Sequence, residues 1–194
     1  MSLLNIPNTL TFLRLCTAPV IAALIVEAPP AHGSPIALGL FVVAGALDKL
    51  DGVIARRWNL MTEFGAIADP IVDKVWLHTV NVALLSIGAM PLWVVAVFLA
   101  RDFVVAELRG AAQRGGSSRA AHWLGKMKMR TQTIYAALCI AATMPAAASW
   151  ANVLALFVLA LALYFTAASL LHYAQIYTSR AVQPRDAVGR GDSQ

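Results

Sequence analysis

The chain has 194 residues, 59% of them apolar and only 13% charged, and its mean hydropathy is +0.69. A soluble domain carries about twice that charged fraction, so intrinsic disorder, a nucleic-acid module and an ordinary cytosolic enzyme are excluded in favour of a membrane protein. With a net charge of +5, the positions of the basic residues matter more than their sum, and no nucleic-acid partner is expected.

Proline, glycine and charged residues cut the apolar sequence into six predicted spans, 8–27, 35–57, 70–89, 91–113, 127–147 and 150–177. They predict an all-α polytopic membrane protein with six transmembrane helices, in one membrane domain over 1–180, followed by a flexible cytoplasmic tail at 181–194. The first span carries Arg14 and Pro19 in its interior with no basic region ahead of it, so no cleavable signal peptide is expected. Spans two to four contain Asp48, Asp51, Asp69, Asp73, Lys74, Arg101 and Asp102, whereas Ala151 to Leu171 in the last span has no charge. An ionised group at membrane depth costs on the order of several kcal/mol, so such residues face a bundle interior or a wet cavity and mark function.

The connections at 28–34, 88–91 and 145–150 hold no Lys or Arg. Arg56, Arg57, Arg109, Arg114, Arg119, Lys126, Lys128, Arg130 and Arg180 fall at the opposite span ends. The positive-inside rule makes that side cytoplasmic, with both termini there. No internal repeat is visible, which weighs against an inverted-repeat transporter. Cys16 and Cys139 lie in apolar stretches that suit packing better than a disulfide.

The end of the second span reads Asp48-Lys-Leu-Asp51-Gly52-Val-Ile-Ala55-Arg56, then eight residues, then Gly65-Ala-Ile-Ala-Asp69-Pro-Ile-Val-Asp73. At about 100° per helical residue, Asp48, Asp51, Gly52 and Ala55 share an arc of about 100°, and Asp69 and Asp73 lie about 40° apart on the next helix. Two acidic faces joined by a short loop can enclose one pocket of four carboxylates, which cannot all stay ionised without cations. Lys49, Lys74 or Arg56 could neutralise part of that charge, but an all-oxygen site at the water boundary suits a hard divalent ion, Mg²⁺ or Mn²⁺, rather than zinc. His78 and His122 are lone imidazoles without ligand spacing and read as structural. Gly52, Ala55 and Gly65 leave room for close approach of a ligand, although small residues also serve helix packing. Arg56 beside them offers a forked donor to phosphate oxygens, so the combination points to a metal-bound diphosphate.

This spacing resembles the signature of the CDP-alcohol phosphatidyltransferase family, Asp-x2-Asp-Gly-x2-Ala-Arg-x8-Gly-x3-Asp-x3-Asp, at all eight fixed positions. Asn5-Ile-Pro-Asn8, Thr11 and Arg14 resemble that family's amphipathic opening segment. The resemblance implies six membrane helices, a homodimer in the inner (cytoplasmic) membrane and a cytoplasm-facing active site. The implied reaction is transfer of a phosphatidyl group from CDP-diacylglycerol to an acceptor hydroxyl, with release of CMP. It also implies that Asp48, Asp51, Asp69 and Asp73 hold two divalent cations and that Asp73 is the catalytic base. Asp51, Gly52, Ala55, Arg56 and Gly65 would bind the CDP donor.

Downstream, Arg101-Asp102, Leu108-Arg109, Ser117-Ser118 and Gly125-Lys126-Met-Lys128-x3-Gln132 resemble the phosphatidylglycerophosphate-forming branch, whose acceptor is glycerol 3-phosphate. Arg101, Arg109, Lys126 and Lys128 are then candidates for binding the acceptor phosphate, although positive-inside bias would also place basic residues here. Met129 stands where that branch usually has Thr. Pro19-Val20, Ile36-Ala-Leu-Gly39 and Leu50-Asp-Gly52 also resemble the cardiolipin-forming branch, which uses phosphatidylglycerol as acceptor. An ion transporter is the non-enzymatic alternative, but it would distribute acids through the membrane depth instead of gathering them at one end.

Overall fold

The computed structural model describes residues 6–28, 30–57, 63–113 and 119–181, with backbone alone at 6–11, 30–33, 48–57, 63–67, 108–113, 119–122, 176–177 and 179–181. Among the described residues there are six helices and no strand: α1 (Ile6–Val26), α2 (Pro30–Arg57), α3 (Glu63–Ser86), α4 (Leu92–Gln113), α5 (Arg119–Ala142) and α6 (Ala148–Ala181). The six predicted spans fall on these helices in order, but the helices outrun the apolar segments. α3 begins at Glu63 instead of 70, and α5 at Arg119 instead of 127. Hydropathy marks what leaves water, whereas the helix itself continues through more polar turns that include Ala, Glu, Arg and Lys, which are good helix formers. Pro70 sits inside α3, seven residues after its start, and does not mark the helix boundary at which the predicted span began.

α3 and α5 are the inner helices. α3 packs on α1, α4 and α5, while α5 packs on α2, α3 and α6. Trp76, Val80 and Leu84 recur every fourth residue along α3 and are fully buried, as are Ala136 and Ile140 on α5. Phe41 of α2 stacks on Trp76 with ring centroids 4.5 Å apart, and Phe98 of α4 meets Tyr135 of α5 edge to face at 6.4 Å. Such pairs contribute about 0.5–1.5 kcal/mol each beyond their burial.

The turn after α3 shows how sequence sets direction. Gly88 has φ +74°, its N–H donates to Leu85 O at 3.0 Å, and the Ala89 N–H donates to Leu84 O at 2.9 Å. This is a Schellman cap, which needs the left-handed conformation that glycine adopts without a Cβ penalty. Pro91 follows and its carbonyl accepts from Val94 N–H at 3.1 Å, opening α4. At the same end of the bundle, Thr143 Oγ1 donates to Ser34 Oγ at 2.6 Å and joins the end of α5 to the start of α2.

The outside of the bundle is apolar. Phe12, Val42, Val82, Leu92, Phe103, Val153, Leu156 and Phe157 are all exposed. By length and apolarity together, one described segment, Ala148–Gln175, is long and apolar enough to cross a membrane; Phe12–Val26 and Ser34–Leu47 are shorter apolar stretches. The remaining helices are interrupted by the charged residues that build the site. Cys16 is exposed and Cys139 is buried, and both are free thiols.

Candidate active site

Asp69 and Asp73 stand on successive turns near the start of α3, as their i, i+4 spacing requires. Asp69 is exposed, and the Asp73 side chain keeps 31% of its surface accessible. Arg14 of α1 reaches across and donates Nη1–H to Asp73 Oδ1. The guanidinium lies over the Trp76 ring, 4.5 Å from its centroid, and Trp76 Nε1–H donates to Thr17 Oγ1 at 3.1 Å. Thr17 Oγ1 in turn donates to the Arg14 carbonyl at 2.6 Å. Arg14 is thus fixed by an aromatic face and a charged partner, and it holds one oxygen of Asp73 in place.

The other half of the acidic motif lies on the last turns of α2. Asp48, Asp51, Gly52, Ala55 and Arg56 belong to that helix by backbone and Gly65 to the first turn of α3, but their side chains lie outside the described residues. Among the described residues no group of three or more His, Cys, Asp or Glu is placed to hold a metal ion. Asp69 and Asp73 are the described part of the four-carboxylate set. Two accessible carboxylates on adjacent helical turns form an oxygen-only donor pair, which suits a hard divalent cation.

A second polar centre lies deeper. Asp102 of α4 is 5% exposed and accepts from three side chains. Lys128 Nζ of α5 donates to Oδ1 at 2.5 Å, Arg101 Nη1 donates to Oδ1 at 2.9 Å, and His78 Nε2 of α3 lies 3.2 Å from Oδ2. Arg101 Nη2 also donates to Ser169 Oγ of α6 at 2.6 Å. One carboxylate therefore ties α3, α4 and α5 together, and Arg101 adds α6. Of the four candidates for the acceptor phosphate, Arg101 and Lys128 are in this buried cluster, with Lys128 only 2% exposed. Lys126 is on the exposed side of α5, and the Arg109 side chain lies outside the described residues, as does that of His122.

Sequence reasoning did not foresee Arg14 as the partner of Asp73 or Asp102 as the hub of the basic residues. In both cases the available signal was a charged residue inside an otherwise apolar helix. A groove of about 900 Å³ runs between α1, α3 and α4, walled by apolar side chains such as Ala22, Val75, Val82 and Phe103. Lys74, His78 and Asp102 also line it, so the buried cluster borders the groove.

The family described as CDP-alcohol phosphatidyltransferase matches residues 4–179. The chain is similar to a probable phosphatidylglycerophosphate synthase of Mycobacterium tuberculosis, 36% identical over 132 residues, which are 67% of this chain and 63% of the relative. It is also similar to proteins named CDP-diacylglycerol--glycerol-3-phosphate 3-phosphatidyltransferase. That of Escherichia coli K12 is 38% identical over 136 residues and that of Bacillus subtilis 32% over 143, each match covering 67% of this chain and 73% of the relative. The chain thus spans somewhat less than two thirds of the length of the mycobacterial relative it matches. With the match running through all six helices and both polar centres, the chain belongs to the CDP-alcohol phosphatidyltransferase family.

Proposed function

We propose that the protein transfers the phosphatidyl group of CDP-diacylglycerol to glycerol 3-phosphate, releasing CMP and forming phosphatidylglycerophosphate for phospholipid biosynthesis. The observation that carries this reading is the acidic face of Asp69 and Asp73 at the start of α3, directly after the α2 end that holds the rest of the eight-position motif. The activities for which the similar proteins are named support the choice of substrates.

Asp48, Asp51, Asp69 and Asp73 would hold two divalent cations, Mg²⁺ or Mn²⁺, which when bound supply positive charge against the donor diphosphate and the departing CMP. Asp51, Gly52, Ala55, Arg56 and Gly65 would border the cytidine diphosphate, with Arg56 the candidate to meet its phosphate oxygens. Asp73 accepts the proton of the acceptor hydroxyl as that oxygen bonds to the donor's lipid-linked phosphorus, and the bond from phosphorus to the CMP oxygen breaks. Arg14 fixes the orientation of the Asp73 carboxylate, so the base is set before the acceptor arrives. The acceptor phosphate is met by basic residues from α4 and α5, for which Arg101, Arg109, Lys126 and Lys128 are the candidates.

All six helices cross the bilayer in this reading, with both termini cytoplasmic, the active site facing the cytoplasm and the protein placed in the inner membrane as a homodimer among lipids. Helix lengths of 21 to 34 residues support six crossings, because even the shortest extends about 31 Å at 1.5 Å per residue. The apolar outer surface supports it as well.

The test is release of CMP from CDP-diacylglycerol by purified protein, with labelled glycerol 3-phosphate, phosphatidylglycerol, serine and inositol phosphate offered in parallel. Product is expected from glycerol 3-phosphate. Product from phosphatidylglycerol alone would move the protein to the cardiolipin-forming branch, and absence of CMP with every acceptor would remove the transferase reading.

A further inference from the structure

A buried ion network that only braces helices is expected to balance its charge and satisfy its polar atoms, since an unmatched charge away from water is strongly destabilising. The cluster around Asp102 does neither. Arg101 and Lys128 bring two positive charges to a single carboxylate, and the neutral form of His78 adds none, so one positive charge is in excess. Arg101 Nε and His78 Nδ1 are buried without a hydrogen-bond partner.

The next turn repeats the pattern. Asn81 lies three residues beyond His78 on α3, Gln132 four beyond Lys128 on α5, and Thr166 three before Ser169 on the antiparallel α6. Asn81 and Gln132 are each 1% exposed, and neither the amides nor Thr166 Oγ1 has a partner for its side-chain polar atoms. The Arg101 Nε–H, the two amide N–H groups and the Thr166 hydroxyl are unspent donors on the helices that carry an excess positive charge, which describes a place prepared for an anion, and orphaned buried polar groups in a native fold call for such an explanation.

We propose that Asp102 is a positioning residue for the anionic acceptor. Its carboxylate sets the Lys128 ammonium and the Arg101 guanidinium side by side, and His78 fixes the carboxylate from the opposite oxygen. This rests on the reading that these two basic residues meet the phosphate of glycerol 3-phosphate. Asp102 does not touch the phosphate, which it would repel. It acts by preventing two neighbouring cations from moving apart, leaving between them one uncompensated charge that the acceptor phosphate neutralises. Ser169 restrains Arg101 from α6, so four helices fix the geometry.

The experiment uses full-length protein in detergent or nanodiscs and compares wild type, Asp102→Asn, Asp102→Glu and His78→Gln. The Michaelis constants for glycerol 3-phosphate and for CDP-diacylglycerol are measured separately, along with the protection against thermal unfolding given by glycerol 3-phosphate and by CDP. Asp102→Asn, nearly the same shape without the charge, is expected to raise the glycerol 3-phosphate constant at least tenfold and to leave that of CDP-diacylglycerol within twofold. It is also expected to lose protection by glycerol 3-phosphate and keep protection by CDP. Asp102→Glu should recover part of the loss, and His78→Gln, which retains an N–H donor, should show a smaller rise. An Asp102→Asn protein with both constants raised alike, or unprotected by either ligand, would identify a plain structural brace and overturn the proposal. Unchanged acceptor affinity in that variant would overturn it too. If the wild type itself neither uses glycerol 3-phosphate nor is protected by it, the acceptor reading fails first and takes this inference with it.

Discussion

The two polar centres are built in opposite ways. Among the described residues, Asp69 and Asp73 are arranged linearly: two acids one turn apart on α3, both accessible to water, with Arg14 of α1 donating to Asp73. Around Asp102 the arrangement is convergent: residues 78, 101, 102, 128 and 169 arrive from four helices and are largely buried, with His78 and Asp102 bordering the groove. The first arrangement leaves carboxylates able to take ligands. The second consumes one carboxylate in organising cations. Residues of one charge type thus serve two purposes according to how exposed they are and how many cations they hold among the described residues.

The comparison is broken most severely at Asp73. Asp73→Asn is expected to lower turnover about 10³-fold, the scale of a lost general base, while CDP-diacylglycerol binding is largely kept, as measured by kinetics beside a donor-binding assay. Chelation by EDTA should stop the wild type and excess Mg²⁺ or Mn²⁺ should restore it; full activity in chelator would contradict the proposed cation dependence. Arg14→Ala should then lower turnover about tenfold with little change in either Michaelis constant, because it frees Asp73 without removing it. A rise confined to the acceptor constant would place Arg14 in the acceptor site instead.

Smaller effects sharpen the contrast. Arg109→Ala is expected to raise the Michaelis constant for glycerol 3-phosphate about tenfold while leaving that of CDP-diacylglycerol unchanged; equal changes in both would remove it from the acceptor site. Gly88→Ala, at the Schellman turn far from either centre, should cost about 1 kcal/mol of stability through its positive φ and leave both Michaelis constants unaltered. Thermal unfolding of that variant beside its kinetics checks both halves of the expectation.

What the amino-acid sequence disclosed follows the same division. The helix order and the Asp69–Asp73 face were legible because both depend on spacing along one strand of chain, with apolar runs marking the buried segments and i, i+4 aligning the acids. By sequence, Lys49, Lys74 and Arg56 are able to neutralise part of the acidic pocket, and the side chains of Lys49 and Arg56 lie outside the described residues; among those described, Asp73 pairs with Arg14, 59 residues away. No local pattern encodes that pairing, which depends on α1 lying along α3. In the same way Arg101 and Lys128 were legible as basic residues near the site, but their shared carboxylate was not. Its identity rests on how four helices cross, and the helix ends were misjudged wherever polar turns continued a helix past its apolar stretch.

α3 carries a residue of each centre, Asp73 and His78, five positions apart. Five positions on an α-helix amount to about 7.5 Å of rise and about 140° of rotation. The separation of the two chemistries is consequently inherited from main-chain hydrogen bonding, the stiffest component of the fold, and no loop is left to tune it. A single residue inserted between them would turn one centre by about 100° relative to the other, so this short stretch has the least freedom to change its length.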